Sequence, residues 1–213
     1  LRGAARDDPG ARDRFLVFGT LVTPDVVLPT PANGVIADGE LLIEGAVITC
    51  VGNDDDLRSV CLGPEGAFAG MGQGALFVDH TTVSARVTHD LAAQAQTAGL
   101  AFVDAPVSGG QAGAENGQLS IMCGGDLADY ARAEPVMAAY ARICRLIGPQ
   151  GAGQLAKMMN QICIAGLMQG LSEALAFGQK AGLDGEKVVE VISQGAAGSW
   201  QMVNRHKTML ADT

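Results

Sequence analysis

Two short stretches of the chain concentrate polar groups that could do chemistry. The first is Asp104-Ala-Pro-Val-Ser108-Gly109-Gly110, continuing to Gly113 and Gly117. A serine followed by two glycines exposes consecutive backbone N–H groups with no side chain in the way, a nest suited to a carboxylate or phosphate. The same glycines would equally serve a tight crossover loop that needs positive φ. The second stretch is Gly151-Ala-Gly153-Gln-Leu-Ala-Lys157-Met-Met-Asn160-Gln161. On a helix, Lys157, Asn160 and Gln161 fall at i, i+3 and i+4 and share one face. Polar groups on an otherwise apolar helix are costly to bury unless they meet each other or a ligand. A lysine held away from water has its ammonium disfavoured, which moves its pKa toward that of a useful general acid or base. The competing reading is an exposed first turn, where lysine needs no partner.

A third set is Asp79-His80-Thr81-Thr82-Val83-Ser84, with Asn53 placed equivalently after an earlier apolar run. Hydroxyls and amides at such positions can touch a nucleotide ribose or phosphate, or cap the helix that follows. His80 reads as a structural donor, Glu173 as a partner for a buried dipole and Trp200 as a core residue. His80, His89 and His206 have no metal-ligand spacing, so no metal is expected.

To bring these groups together the chain needs a sheet whose strands end beside them. Val47 to Val51, Ala75 to Asp79, Leu100 to Asp104 and Leu119 to Cys123 are apolar runs of buried-strand type. Between them, Asn53 to Asp56 opens a helix through Cys61, Ser84 caps a helix over 85–98 that Gly99 stops, and Asp126 caps one to Tyr140. Strands alternating with helices predict a mostly parallel sheet covered on both faces. Beyond Gly148 the pattern is helical only. A long helix over 153–181, ended by Gly182, is apolar on nearly every side from Ile162 and therefore expects burial, in a domain or against another subunit. Asp184 caps a helix through Ser193, and another begins near Ser199. Residues 1–46 differ, with candidate strands at Phe15–Phe18 and Leu41–Ile43 in a Pro- and Gly-broken stretch. The chain thus reads as an atypical β-rich segment (1–46), an incomplete α/β domain (47–148) and a truncated helical domain (149–213).

The 213 residues carry 14 Lys+Arg against 23 Asp+Glu, a net charge of −9, which argues against nucleic acid as a partner. No basic run suits an anionic membrane, and no apolar run reaches the ~18 residues of a membrane span. Five cysteines without a CxxC pair suggest free thiols in a reducing cytoplasm.

Taken with their order and spacing, the two signatures resemble those of the β-hydroxyacid dehydrogenase family, which includes 3-hydroxyisobutyrate dehydrogenase and 2-hydroxy-3-oxopropionate reductase. Gly124-Gly125-Asp126, Val78-Asp79 and Ala181-Gly182-Leu183-Asp184 fall in the family's order. The resemblance implies an α/β fold with a partial Rossmann-like parallel sheet, followed by an all-helical domain. It implies that Lys157 is the general acid/base and that Asn160 orients the substrate or the lysine. Ser108, Gly109, Gly110 and Gln161 would bind a small hydroxy acid, and Asn53 and Thr82 would touch NAD or NADP. The apolar sides of the helix 153–181 predict a homo-oligomer joined through it. The chain departs from the family at its start: no G-x-G-x-x-G exists in it, although that loop is what meets a dinucleotide pyrophosphate. Residues 15–25 and 36–45 faintly resemble the leading strands of cyclic amidohydrolases, without the His-x-His those enzymes need. The alternative expectation is a non-catalytic, self-associating remnant that binds no dinucleotide.

Overall fold

The computed structural model describes residues 46–211, together with two short strands before them at 35–36 and 40–43. Strands β1 (Val35–Ile36), β2 (Glu40–Ile43), β3 (Ala46–Thr49), β4 (Leu76–Asp79), β5 (Ala101–Asp104), β6 (Val107–Ser108), β7 (Leu119–Gly124) and β8 (Ala141–Gly148) form one sheet. Its order is β1-β2-β3-β4-β5-β7-β6, with β8 added on β7. β3, β4 and β5 are parallel neighbours, as are β7 and β8, whereas β2 joins β3 and β5 joins β7 antiparallel. Helices α1 (Asp54–Cys61), α2 (Ala67–Gly70), α3 (Ala85–Thr97), α4 (Gly110–Glu115) and α5 (Leu127–Met137) connect them.

The central strands are apolar up to their last residues, Thr49, Asp79 and Asp104, because both faces of the sheet are covered. Ala46, Ile48, Leu76, Val78, Ala101 and Val103 pack with Tyr130, Ala133 and Met137 of α5. The alternate residues Val47, Phe77 and Phe102 pack with Leu57 of α1 and with Val87, Leu91 and Ala95 of α3. Phe77 and Phe102 stack with centroids 5.5 Å apart, and Phe68 meets Phe77 edge-on at 5.2 Å. Helix starts follow the expected caps. Asn53 Oδ1 accepts from the N–H groups of Asp55 and Asp56, and Ser84 Oγ accepts from that of Val87.

The chain divides into two compact units, Leu1–Lys157 and Met158–Thr213. Helix α6 (Ala152–Lys180) begins in the first and runs on in the second, followed by α7 (Gly185–Ile192) and α8 (Trp200–Ala211). Gly182, at φ 73°, stops α6, and Asp184 caps α7 at the N–H of Lys187. The core of the second unit is small: Leu171, Leu175, Val189 and Met202.

Several expectations change. The strand placed at Phe15–Phe18 lies outside the described residues. Asp126 precedes α5 without a side-chain cap bond, and α5 stops at Met137 rather than Tyr140 because the chain turns there into β8. β8 is hidden in the sequence because arginines interrupt its apolar residues on an edge strand. The apolar sides of α6 are not all covered among the described residues, since one small cluster can seat only one side of a helix. Ile162 is 73% exposed and Phe177 72% exposed. Trp200 is likewise exposed, with the Arg205 guanidinium 5.6 Å from its ring centre.

Candidate active site

Thr49, Asp79 and Asp104 stand in one register at the carboxyl ends of β3, β4 and β5. Asp79 is fully buried. Its Oδ1 accepts from Thr49 Oγ1 at 3.1 Å and from the Thr81 N–H at 3.0 Å, while Oδ2 has no partner. Burial pushes its pKa up to about 7, because a carboxylate there would lack water and any countercharge. His80 is held between the Ala105 carbonyl, 2.6 Å from Nδ1, and the Tyr140 hydroxyl, 2.8 Å from Nε2. A carbonyl only accepts, so Nδ1 carries the proton and Nε2 accepts from Tyr140. The ring is therefore a neutral structural tie, with its pKa lowered by burial.

Asp104 anchors the start of α6. Its Oδ1 accepts from the Gly151 N–H at 2.7 Å and its Oδ2 from the Gln154 N–H at 3.1 Å. An acidic group at the positive end of a long helix is favourably placed. Burial raises the Asp104 pKa against the lowering effect of these N–H groups. The approach leaves no room for a side chain: a Cβ on Gly153 would lie 2.7 Å from Asp104 Oδ2. The glycines of the second signature are thus the condition for seating the helix on the strand end.

One turn later, Lys157 is 8% exposed and its Nζ donates to the Val107 carbonyl at 2.7 Å. Burial lowers its pKa. The lysine is thereby tied to β6, beside Ser108, which ends that strand half-buried. Gly109 (φ 141°) and Gly110 (φ 60°) then adopt backbone that side chains disfavour. A Cβ on Gly109 would sit 3.0 Å from Leu119 Cδ2. Instead of an open loop, α4 starts here, with its first N–H groups lacking helical partners. The first unit therefore brings Lys157 and the Ser108 loop together.

The other candidates are placed differently. Asn160 and Gln161 lie in the second unit, where Asn160 Nδ2 donates to Gln161 Oε1 at 3.0 Å. Asn53 caps α1 and also donates to Asp56 Oδ2 at 2.8 Å. Thr82 is exposed between two buried residues, Thr81 and Val83. Glu173 accepts from Gln169 on an exposed surface. Two contributors escaped the sequence reading, Gln154 and the anchoring role of Asp104. A lone amide in an apolar helix carries no periodic signal, and the partners of Asp104 lie 47 and 50 residues away.

Residues 28–148 match the family described as the NAD binding domain of 6-phosphogluconate dehydrogenase, and 151–213 match the NAD-binding domain of NADP-dependent 3-hydroxyisobutyrate dehydrogenase. The chain belongs to the β-hydroxyacid dehydrogenase family. It is 63% identical over 76% of its length, and over 56% of the relative's, to an uncharacterised oxidoreductase of Shewanella frigidimarina. It is 38% identical to the 3-hydroxyisobutyrate dehydrogenase of Pseudomonas aeruginosa, covering 75% of this chain and 54% of that one. A structure of the Mycobacterium tuberculosis 3-hydroxyisobutyrate dehydrogenase with L-serine superposes at a TM-score of 0.67 with 31% identity, covering 76% of this chain and 54% of that one. The chain spans about half the length of these relatives.

Family members use NAD or NADP, and the described residues fit only part of such a molecule. Thr82 offers an exposed hydroxyl just beyond the end of β4, on the loop that leads to α3. The turns that follow β3 and β4 are poor seats for the dinucleotide pyrophosphate. The turn into α1 carries the carboxylates of Asp54, Asp55 and Asp56, and Ser84 at the start of α3 is bonded to Asp54. No helix among the described residues is long and apolar enough to cross a membrane.

Proposed function

We propose that the chain carries the substrate and proton-transfer part of an NAD(P)-dependent dehydrogenase acting on the alcohol of a small 3-hydroxy carboxylic acid, of the 3-hydroxyisobutyrate type. Lys157 is the general acid/base. Ser108, Gly109, Gly110 and Gln161 receive the acid, Asn160 orients the substrate or the lysine, and Asn53 and Thr82 meet the dinucleotide. The nicotinamide, when bound, supplies the hydride acceptor. In the oxidative direction Lys157, as the neutral amine, takes the hydroxyl proton while the carbinol hydrogen leaves as hydride. In reduction the ammonium returns that proton. The supporting observation is the buried Nζ bonded to the Val107 carbonyl, one residue before Ser108. A lysine titrating at 10.5 in water is a poor base near neutrality, and its burial acts in the needed direction. The exposed apolar sides of α6 support association of like chains through that helix.

Replacing Lys157 by Met tests the proposal. Dinucleotide-dependent oxidation of 3-hydroxy acids should fall by ~10²–10⁴ with the melting temperature unchanged or raised, because a buried amine is removed. Retention of most activity would remove Lys157 from the mechanism.

A second reading, a remnant that binds no dinucleotide, is favoured by one observation. The flank of β3 opposite β4 is taken by β2 running antiparallel, where a parallel βα unit with a glycine loop would supply the pyrophosphate site. Calorimetric titration with NAD and NADP separates the two: micromolar binding supports the first reading and its absence up to millimolar the second.

A further inference from the structure

Gln154 is 0% exposed, and a buried primary amide is costly unless its donors and acceptor find partners. Both ends are matched by one loop. Oε1 accepts the Val83 N–H at 3.1 Å, and Nε2 donates to the Thr81 carbonyl at 2.7 Å. The loop between β4 and α3 is thus fastened on either side of Thr82, whose own side chain stays exposed. The backbone N–H of Gln154 is meanwhile held by Asp104, and Lys157 follows one helical turn later. Three parts of the first unit therefore meet at this single residue: the end of β5, the β4–α3 loop and the turn carrying the lysine. The pairing is selective for an amide, because a backbone N–H and a backbone carbonyl ask for an acceptor and a donor on the same side-chain end.

We propose that Gln154 is a positioning residue that fixes the β4–α3 loop, and Thr82 with it, at a set distance from Lys157. The role rests on the function proposed above, in which Thr82 borders the dinucleotide and Lys157 moves the proton. Gln154 touches neither substrate nor dinucleotide; it acts through the loop backbone.

Two variants test it. Gln154→Met keeps the length and approximate volume and removes both hydrogen bonds. Gln154→Glu keeps an acceptor for Val83 but, when ionised, sets an oxygen against the Thr81 carbonyl; when protonated it restores the donor and acceptor pair. In Gln154→Met the Val83 amide should exchange with solvent ~10- to ~100-fold faster, while the Phe102 amide in the sheet keeps its rate. In Gln154→Glu the protection of Val83 should be lost near neutrality and regained on acidification, a signature that general loosening would not produce. For the unaltered chain against Gln154→Met, dinucleotide affinity should weaken about tenfold while KM for the hydroxy acid shifts less than about twofold. Unchanged Val83 exchange in both variants would overturn the clamp. Faster exchange with unaltered dinucleotide affinity would make Gln154 structural only. Failure of the unaltered chain to bind dinucleotide would overturn the proposed function and this role together, while the exchange rates would still report on the clamp by itself.

Discussion

The two units of this chain solve the burial of apolar residues in opposite ways. In the first, strands apolar up to their last residues have helices on both faces, and Phe77, Val78 and Val103 are shielded within the chain. In the second, a helix just as apolar has a cluster of four buried residues on one side and bare Ile162 and Phe177 elsewhere. Local sequence pattern is thus a good guide to burial where the chain supplies both surfaces. It overstates burial where the chain supplies only one. Among the described residues, the first unit covers its central strands on both faces, while the second has a small cluster against α6.

The contrast is most directly broken by removing matched side chains. Phe77→Ala empties the centre of the first core and should cost about 3–5 kcal/mol, whereas Leu175→Ala in the small cluster should cost only about 2 kcal/mol. Denaturant titrations can tell them apart, since the single tryptophan, Trp200, reports on the second unit and far-UV circular dichroism on both. Equal losses would break the comparison.

A smaller effect comes from Asp79, whose folded pKa of about 7 stands above its ordinary 3.8. Below pH 4 the carboxyl is neutral in both states; between 4 and 7 only the unfolded chain gives up its proton, so stability declines as pH rises through that window. Asp79→Asn should remove this decline, gaining on the order of a few kcal/mol over the parent by pH 8 and little at pH 4. Parallel pH curves for the two proteins would refute the assignment. His80 works in the opposite direction: its pKa is depressed, so its share of stability is present above pH 6.5 and lost as pH falls below it.

The smallest effect on folding is expected at the bare residues of α6. Ile162→Ser and Phe177→Ser should each change unfolding free energy by less than about 0.5 kcal/mol. Sedimentation should nevertheless show weaker self-association if α6 joins like chains, and an unchanged mass distribution would sink that part of the proposal.

Much of the first unit was legible in the sequence because its signals are local. The helix caps at Asn53 and Ser84 and the apolar runs of β3, β4 and β5 are each decided by a few neighbouring residues, as are the stop at Gly182 and the cap at Asp184 in the second unit. Lys157 and Ser108 stand out as candidates from their surroundings, and in the structure Lys157 Nζ donates to the carbonyl of Val107, the residue before Ser108. What escaped depends on contacts between distant residues: Asp104 with Gly151, Gln154 with Thr81 and Val83, and His80 with Tyr140 60 residues on. Helix α4 was obscured by its glycines, which suggest a loop, and the edge strand β8 by its interleaved arginines.

The hold of Asp104 on the first turn of α6 has a consequence for how this chain tolerates change in length. The location of Lys157 is counted from that carboxylate, across one fixed run from Gly151, and is independent of anything downstream. An insertion after Lys157 would rotate Asn160 and Gln161 about the helix axis by roughly 100° per residue and leave the ammonium beside the Val107 carbonyl. A single insertion between Gly153 and Lys157 would swing the lysine itself off β6. Gaps and added residues in α6 should therefore be found only beyond position 161, where they disturb neither the lysine nor the spacing of Asn160 and Gln161 from it.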